Sequence, residues 1–343
     1  MSEREGQIKN LSTDDYLLSK FKELAITKPL RLLSGNLNRI KKFNVNFMKR
    51  GETNILSPIG SATCRQDYIQ ILTSAALKKT EDVAKELIAQ AAQANNEAFS
   101  VEGFCIPCNK SVGFLVDMGS GAQRHTHGWI PNWRERLECP LCRLNNRQRL
   151  IATIVKEALS KKINQHVYLM EQVTPFFNWV KLTFNQHQII GSEYLGPEYS
   201  AGQSYRFVRH EDVENLSFSD ETLDLIISND VFEHVPNPAK AFSECARVLK
   251  PGGVMLATFP FHSDNDSSLI RARLNDGKLE HLLSPVFHGN PILADGSLVF
   301  TDFGWDLMDT IRQSGFSDVV VDIYASEILC HFGGGQSVFR AFK

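Results

Sequence analysis

The chain is predicted to be an α/β protein built on a doubly wound, mostly parallel sheet, with a helical region and a small cysteine-bearing module ahead of it. Three observations predict this. From Gln148 onward, apolar runs of strand length alternate with amphipathic helical stretches, the pattern of parallel strands joined by right-handed crossovers. Two C-x-x-C pairs, Cys105/Cys108 and Cys139/Cys142, fall in one short segment containing Gly and Pro. A length of 343 residues with 43% hydrophobic content allows two or three folded units.

Residues 1–100 read as helical: in "DYIQILTSAALKKTEDVAKELIAQAAQA", Ile69, Leu72, Ala76, Val83, Leu87 and Ala91 recur at roughly helical intervals. Near Arg39–Arg50, "RIKKFNVNFMKR" mixes Phe43, Phe47 and Met48 with basic residues, a composition suited to RNA or lipid but more simply a solvated helix face. The net charge of −2 and pI near 6.6 give no general reason to expect nucleic acid or an anionic membrane as partner. The helical region is expected either to cover a pocket or to mediate a homodimer.

No run of about 18 apolar residues is present, and "MSEREGQIKNLSTDD" lacks the order of a secretory signal. A cytoplasmic protein without a membrane span is expected, and in that reducing setting paired cysteines favour metal over disulfide.

Residues 101–149 form the predicted metal module. Each C-x-x-C pair makes a knuckle aiming two thiolates at one ion, and two knuckles complete the tetrahedron Zn²⁺ prefers. Cys105, Cys108, Cys139 and Cys142 would fill every position, so the role is structural. Arg134, Arg136, Arg143, Arg147 and Arg149 give the module a basic side, as in zinc ribbons that contact nucleic acid. His125 and His127 read as loop residues, and Cys64, Cys245 and Cys330 as buried small hydrophobes.

Residues 150–343 form the α/β domain. A helix begins near Gln148. Strands are expected at Val167–Glu171, Gln188–Glu193, Tyr205–His210, Leu223–Ser228, Val254–Phe259, Val319–Tyr324 and Val338–Phe342. Helices are expected at Pro175–Phe184, Pro238–Leu249 and Trp305–Ser314, and the last two strands should pair antiparallel at one edge. Residues 261–304 interrupt the alternation and read as a lid.

The stretch from "RFVRHEDVENLSF" through "LDLIISNDVFEHVPNP" to "VLKPGGVMLATFP" resembles class I S-adenosylmethionine-dependent methyltransferases of the type-11-like group, whose fourth strand is followed by an "EHV" turn. More narrowly, residues 100–343 resemble bacterial methyltransferases with a Cys₄ module ending in "CPLCRLNNRQR", then "SEYLG", "HGNP" and "FGWDL". The resemblance implies a Rossmann-like sheet of seven strands with a final antiparallel hairpin strand, and S-adenosyl-L-methionine as cofactor.

Glu193 lies 22 residues beyond Glu171, the interval at which an acid grips a ribose diol in dinucleotide folds. Asp212, followed by Val213, stands where the family's acid reaches the adenine amino group. Asn229 and Asp230 end the fourth strand, facing the crevice where open α/β sheets bind ligands. The first turn is unusual: no glycine occurs from Trp129 to Ile190, and "EQVTP" replaces the expected G-x-G. Glu171 keeps the acid, Thr174 is placed to cap the helix and Pro175 to start it. The free N–H groups of the helix start would then face the methionine carboxylate, aided by Arg147 or Arg149.

For the catalytic base, His288 and His262 in the lid and His234 in the "EHV" turn are the candidates, with Tyr194 and Asp302 as alternatives. Methyl transfer to an O or N atom of a small molecule, glycan or natural-product intermediate is the first expectation. A ribosomal RNA base methyltransferase using the zinc module to bind RNA is the second, opposed by the acidic α/β half. A catalytically inactive binding or scaffold protein is the third.

Overall fold

The structure, a computed structural model, describes residues 56–93, 98–119, 121–125 and 128–343. The Arg39–Arg50 segment, His127 and the His125 side chain lie outside the described residues. Strand β1 (Gly60–Ala62) leads into helices α1 (Arg65–Leu72) and α2 (Ala75–Gln93), followed by the hairpin β2 (Ala98–Cys105) and β3 (Lys110–Asp117). After α3 (Asn146–Ser160) come β4 (His166–Leu169), α4 (Pro175–Thr183), β5 (Gln188–Gly191), β6 (Leu223–Asn229), α5 (Pro238–Val248), β7 (Leu249–Thr258), α6 (Asp306–Gln313), β8 (Asp318–Ser326) and β9 (His331–Phe342).

The central sheet has seven strands in the order β1-β8-β9-β7-β6-β4-β5. β5, β4, β6 and β7 are mutually parallel, β9 runs antiparallel between β7 and β8, and β1 is antiparallel to β8. Residues alternate faces along a strand. Leu225 and Ile227 of β6 join Ile151 and Val155 of α3 and Phe176 and Val180 of α4, while Ile226 joins Phe242 of α5 and Leu307 and Ile311 of α6. The sheet is therefore covered on both faces, with each fully buried Leu, Ile or Phe contributing roughly 1.5–3 kcal/mol.

Local chemistry starts α3, α4 and α5 where the sequence indicates. Asn145 and Gln148 form a reciprocal capping box ahead of α3. Thr174 accepts from the Phe177 N–H at 3.1 Å with Pro175 at the first turn of α4, and Asn237 does the same for α5 ahead of Pro238.

Three expectations are overturned. The segment Tyr205–His210 is not a sheet strand: Ser204–Tyr205 pairs with Val208–Arg209 through a two-residue turn with positive φ at Arg206 and Phe207. It meets β5's extension only through the Glu193–His210 bridge. The seventh place is taken by β1 at the other edge, within a region read as helical. Buried Asp322 of β8 explains its position, because it accepts from Ser61 of β1 at 2.5 Å and pairs with Arg340 of β9. Cys64 is exposed rather than buried, whereas Cys245 and Cys330 are buried. Residues 261–304 contain three short two-stranded pairings: Leu269–Ile270 with Thr301–Asp302, Ala272–Asn275 with Lys278–His281, and Phe287–His288 with Ser297–Leu298.

The β2–β3 hairpin packs on α2 and on the loop joining β8 to β9, where Phe99, Phe114, Leu87 and Phe332 share one core. Gly103 permits this contact, since a Cβ there would lie 2.5 Å from Cys330 Sγ. Arg149 fastens the junction. It is 1% exposed, donates to the carbonyls of Leu137, Leu329 and Cys330, and lies 3.8 Å from the centre of the Phe114 ring. Arg149→Met keeps the bulk but removes every donor, leaving carbonyls buried and unsatisfied. We expect denaturant unfolding to show a loss of about 3 kcal/mol or more; a loss below about 1 kcal/mol would mean that these carbonyls find other donors.

Candidate active site and metal centre

Parallel β4 lies between β5 and β6, so the carboxyl ends of these strands bring Glu171, Glu193, Asn229 and Asp230 to one side of the sheet. The turn after β4 is built from side chains. Glu193 Oε1 accepts from the backbone N–H groups of Gln172 and Val173 at 2.7 and 2.9 Å. Gln172 in turn binds the 204–209 hairpin, donating to the Phe207 carbonyl and accepting from the Arg209 N–H. The glycine that lets helix and strand approach is Gly191, at the end of β5, where a Cβ would lie 2.4 Å from the Phe177 ring and 2.7 Å from the Glu171 carbonyl. Close helix–sheet packing is thus achieved from the neighbouring strand, which the search for G-x-G in the first turn missed.

Glu171 is buried and accepts from Thr174 Oγ1 and from Asn229 Nδ2, the latter at 2.5 Å. Burial raises its carboxyl above the ordinary value against these hydrogen bonds. Burial also pushes Glu193 up to about 7, opposed by the two backbone N–H groups. Both backbone bonds fall on Oε1, leaving Oε2 to accept from a ligand.

Asp230 differs from its expected role. It adopts φ 53°, and Arg134 donates to both of its oxygens at 2.5 and 2.6 Å. Arg147 approaches at 3.3 Å and Thr258 donates at 2.8 Å. Its carboxylate therefore anchors arginines and does not face the crevice free. Glu135 closes the cluster by binding Arg134 and Arg147 at 2.6 and 2.9 Å. Burial would raise the carboxyls of Asp230 and Glu135, but the guanidinium charges outweigh it and hold both below the ordinary range. Two buried polar atoms remain without hydrogen-bond partners here, the donor Arg147 Nη1 and the acceptor Asn229 Oδ1. Both side chains adjoin Glu171, Arg147 by charge and Asn229 by its hydrogen bond. Arg149 is not part of this group, because its donors are spent at the junction described above.

Asp212 Oδ1 accepts from the Glu214 N–H, and Val213 packs against the core on the α5–α6 face. Of the three candidate imidazoles, the structure brings two together: His234 and His288 stand edge to face, 5.1 Å between ring centres, each 3.5 Å from Glu233 Oε1. Contact with Glu233 raises the His288 imidazole above its ordinary value. His262 is separate, half-exposed and 4.0 Å from Asp302, whose carboxylate is bound by Arg271 at 2.6 Å. Tyr194 is exposed and tilted against His210. Glu233 was missed; it sits beside His234 in "FEHVP", and burial with both carboxylate oxygens unpartnered singles it out.

The four cysteines of the module converge. Cys105 and Cys142 sulfurs are 3.8 Å apart and those of Cys108 and Cys139 3.7 Å. Thiolates about 2.3 Å from a tetrahedral ion would lie about 3.8 Å from one another, so the set is spaced to hold one. An open cleft lined by Glu81, Lys85, Trp133, Gly333 and Gly334 shares only Arg134 with the strand-end cluster.

A family described as "Methyltransferase domain" matches residues 165–257. A probable S-adenosylmethionine-dependent methyltransferase of Mycolicibacterium smegmatis is 33% identical over 99 residues, covering 24% of this chain and 38% of that protein. A sarcosine/dimethylglycine N-methyltransferase of Halorhodospira halochloris is 25% identical over 121 residues, 35% of this chain and 37% of its own length. The chain thus spans less than two-fifths of these relatives. Among solved structures, the Burkholderia thailandensis 1,6-didemethyltoxoflavin-N1-methyltransferase, with bound 1,6-didemethyltoxoflavin and S-adenosylhomocysteine, is 16% identical over 57% of this chain and 77% of that one, with a TM-score of 0.33. β4, β5 and β6 all lie inside the span that matches this methyltransferase-domain family.

Proposed function

We propose that the chain is an enzyme transferring a methyl group from S-adenosyl-L-methionine to an O or N atom of a small molecule, glycan or natural-product intermediate. The observation that carries this reading is the pair of orphaned buried atoms beside Glu171, the donor Arg147 Nη1 and the acceptor Asn229 Oδ1. An unpaired donor and an unpaired acceptor at the end of a parallel sheet complement the carboxylate and ammonium of an amino-acid zwitterion, and the first turn of α4 adds N–H groups for the carboxylate. Glu193 would accept from the ribose hydroxyls through Oε2, and Asp212 and Val213 would border the adenine. The bound cofactor supplies a methyl group on a sulfonium, so the protein's task is alignment of an acceptor. His234 and His288, with His262 at the start of the insertion that carries His288, would line the acceptor side.

The module's arginines speak for a small acceptor over RNA. Arg134 and Arg147 are committed to Asp230 and Glu135, Arg136 to Asp117, Arg143 to Glu138, and Arg149 to backbone carbonyls. Four of the five arginines that suggested a phosphate-binding side are paired with carboxylates within the chain, and the fifth, Arg149, is buried on carbonyls. The module's role is then structural, with Zn²⁺ held by Cys105, Cys108, Cys139 and Cys142.

Calorimetric titration with S-adenosylmethionine tests the cofactor assignment. Glu193→Ala should weaken binding by roughly 1.5–3 kcal/mol for each charge-assisted hydrogen bond lost, whereas unchanged affinity would remove the ribose from this position. Because ribose hydroxyls donate to the ionised carboxylate, affinity should rise as pH rises through about 7, the value to which burial raises Glu193, and Glu193→Ala should abolish that dependence. In the cofactor-free protein the sign is opposite. A raised carboxyl favours the folded state most below its ordinary value of 4.5 and loses that contribution as pH rises through about 7. For the module, metal analysis should find zinc at the four thiols, and its removal by a chelator should lower both stability and cofactor affinity, because Arg134 and Arg147 are positioned by that module. Zinc-free protein with full cofactor affinity would refute the coupling.

A further inference from the structure

Glu233 differs from the other buried acids. Glu171, Glu211, Asp230 and Asp322 each accept hydrogen bonds from protein donors, but both carboxylate oxygens of Glu233, 1% exposed, have no hydrogen-bond partner. A buried carboxylate in that condition is costly unless positive charge compensates it. Its nearest polar neighbours are His234 Nε2 and His288 Nδ1, each 3.5 Å from Oε1.

The orientation of His234 is defined. Its Nδ1 lies 2.8 Å from the Leu298 carbonyl, which only accepts, so Nδ1 carries a proton and Nε2, 3.5 Å from Glu233 Oε1, is the nitrogen left to bind an ion. Metal-bound histidines are held in the same way, with the second ring nitrogen donating to a carbonyl. The same short hairpin supplies both Leu298 and His288, and Phe300 N–H donates to the Glu233 backbone carbonyl at 2.7 Å. One insertion thereby fixes both imidazoles against one acid. The three ligand atoms lie within 4.8 Å of one another. Ligands about 2.1 Å from a tetrahedral ion would stand about 3.4 Å apart, close to the two 3.5 Å separations found.

We propose that Glu233, His234 and His288 hold a divalent transition-metal ion, distinct in chemistry from the ion of the four cysteines. Two imidazoles and one carboxylate leave coordination positions open, as in sites that bind a substrate oxygen or water. The metal assignment stands on this geometry alone. Joined to the methyl-transfer reading, on which this further step rests, it narrows the acceptor to one presenting a hydroxyl or carboxylate oxygen to the ion.

The test uses the full chain with its cysteine site loaded. Metal content is measured as purified, followed by titration with Mn²⁺ monitored by electron paramagnetic resonance. Mn²⁺ is low in the affinity order and favours oxygen and nitrogen over thiolate, so it does not displace the ion at the cysteines. We expect a divalent ion beyond that held by the thiols, either already present or taken up as Mn²⁺. Glu233→Gln and His288→Ala, both checked for intact thermal unfolding, should each weaken its binding by about tenfold or more, at least the effect of losing an outer-sphere partner. Absence of such an ion in both measurements, or binding unchanged in both variants, overturns the site. Separate titration with S-adenosylmethionine reports on methyl transfer, so either reading can fail while the other stands.

Discussion

The carboxylate of Asp230 is the point on which the arrangement depends. It directly follows strand β6, it accepts from Arg134 of the cysteine module, and it faces Arg147 in the first turn of α3. Module, helix and sheet are therefore joined at one buried charge. Such clusters stabilise less than their Coulomb attraction suggests, because each ion gives up its hydration; removing a single partner is severe, about 3–5 kcal/mol, because a charge is then stranded. The arrangement is accordingly better understood as a device for position than for stability. It holds Arg147 with one guanidinium nitrogen buried and unpaired, and the charge of that guanidinium acts on Glu171.

This bears on the glycine-free turn after β4. A G-x-G turn gives a phosphate close access to bare backbone. Here Glu193, Gln172 and Thr174 make the wall, with Thr174 both capping α4 and donating to Glu171. The requirement for close helix–strand packing persists, but Gly191 meets it from β5. The proposed cofactor has no phosphate, and a wall of side chains that presents a carboxylate and a guanidinium suits an adenosyl amino acid better than bare backbone would.

Much of this was legible in the sequence, and what was not has identifiable causes. The parallel strands and the starts of α4 and α5 are set by local signals: apolar runs, Thr174-Pro175 and Asn237-Pro238. The strand expected at Tyr205–His210 failed because alternation does not reveal whether a segment pairs with the sheet or folds back on itself, and positive φ at Arg206 and Phe207 decided for the latter. β1 was invisible because three residues carry no period; Ser61 is held there by Asp322, 261 positions away. Arginines in the module read as a basic face because charge counting does not show which acid each one pairs with: Glu135 and Glu138 lie nearby in sequence, but Asp230 is 96 positions from Arg134. The four cysteines were readable because C-x-x-C spacing encodes its own geometry.

The turn leaving β6 shows how one short segment serves two neighbourhoods. Asn229 and Asp230 look toward Glu171 and the arginines, and the αL conformation of Asp230 reverses the chain there, an unusual posture for a residue other than glycine. Thr258 and Arg134 hold Asp230 in it. The 3₁₀ turn that follows, Phe232–His234, buries Phe232 against Phe242 as an anchor and turns Glu233 and His234 toward His288. The fixed backbone at Asp230 thus separates a carboxylate that is already paired from one that still requires a cation, and it places both beside the ends of the same parallel strands.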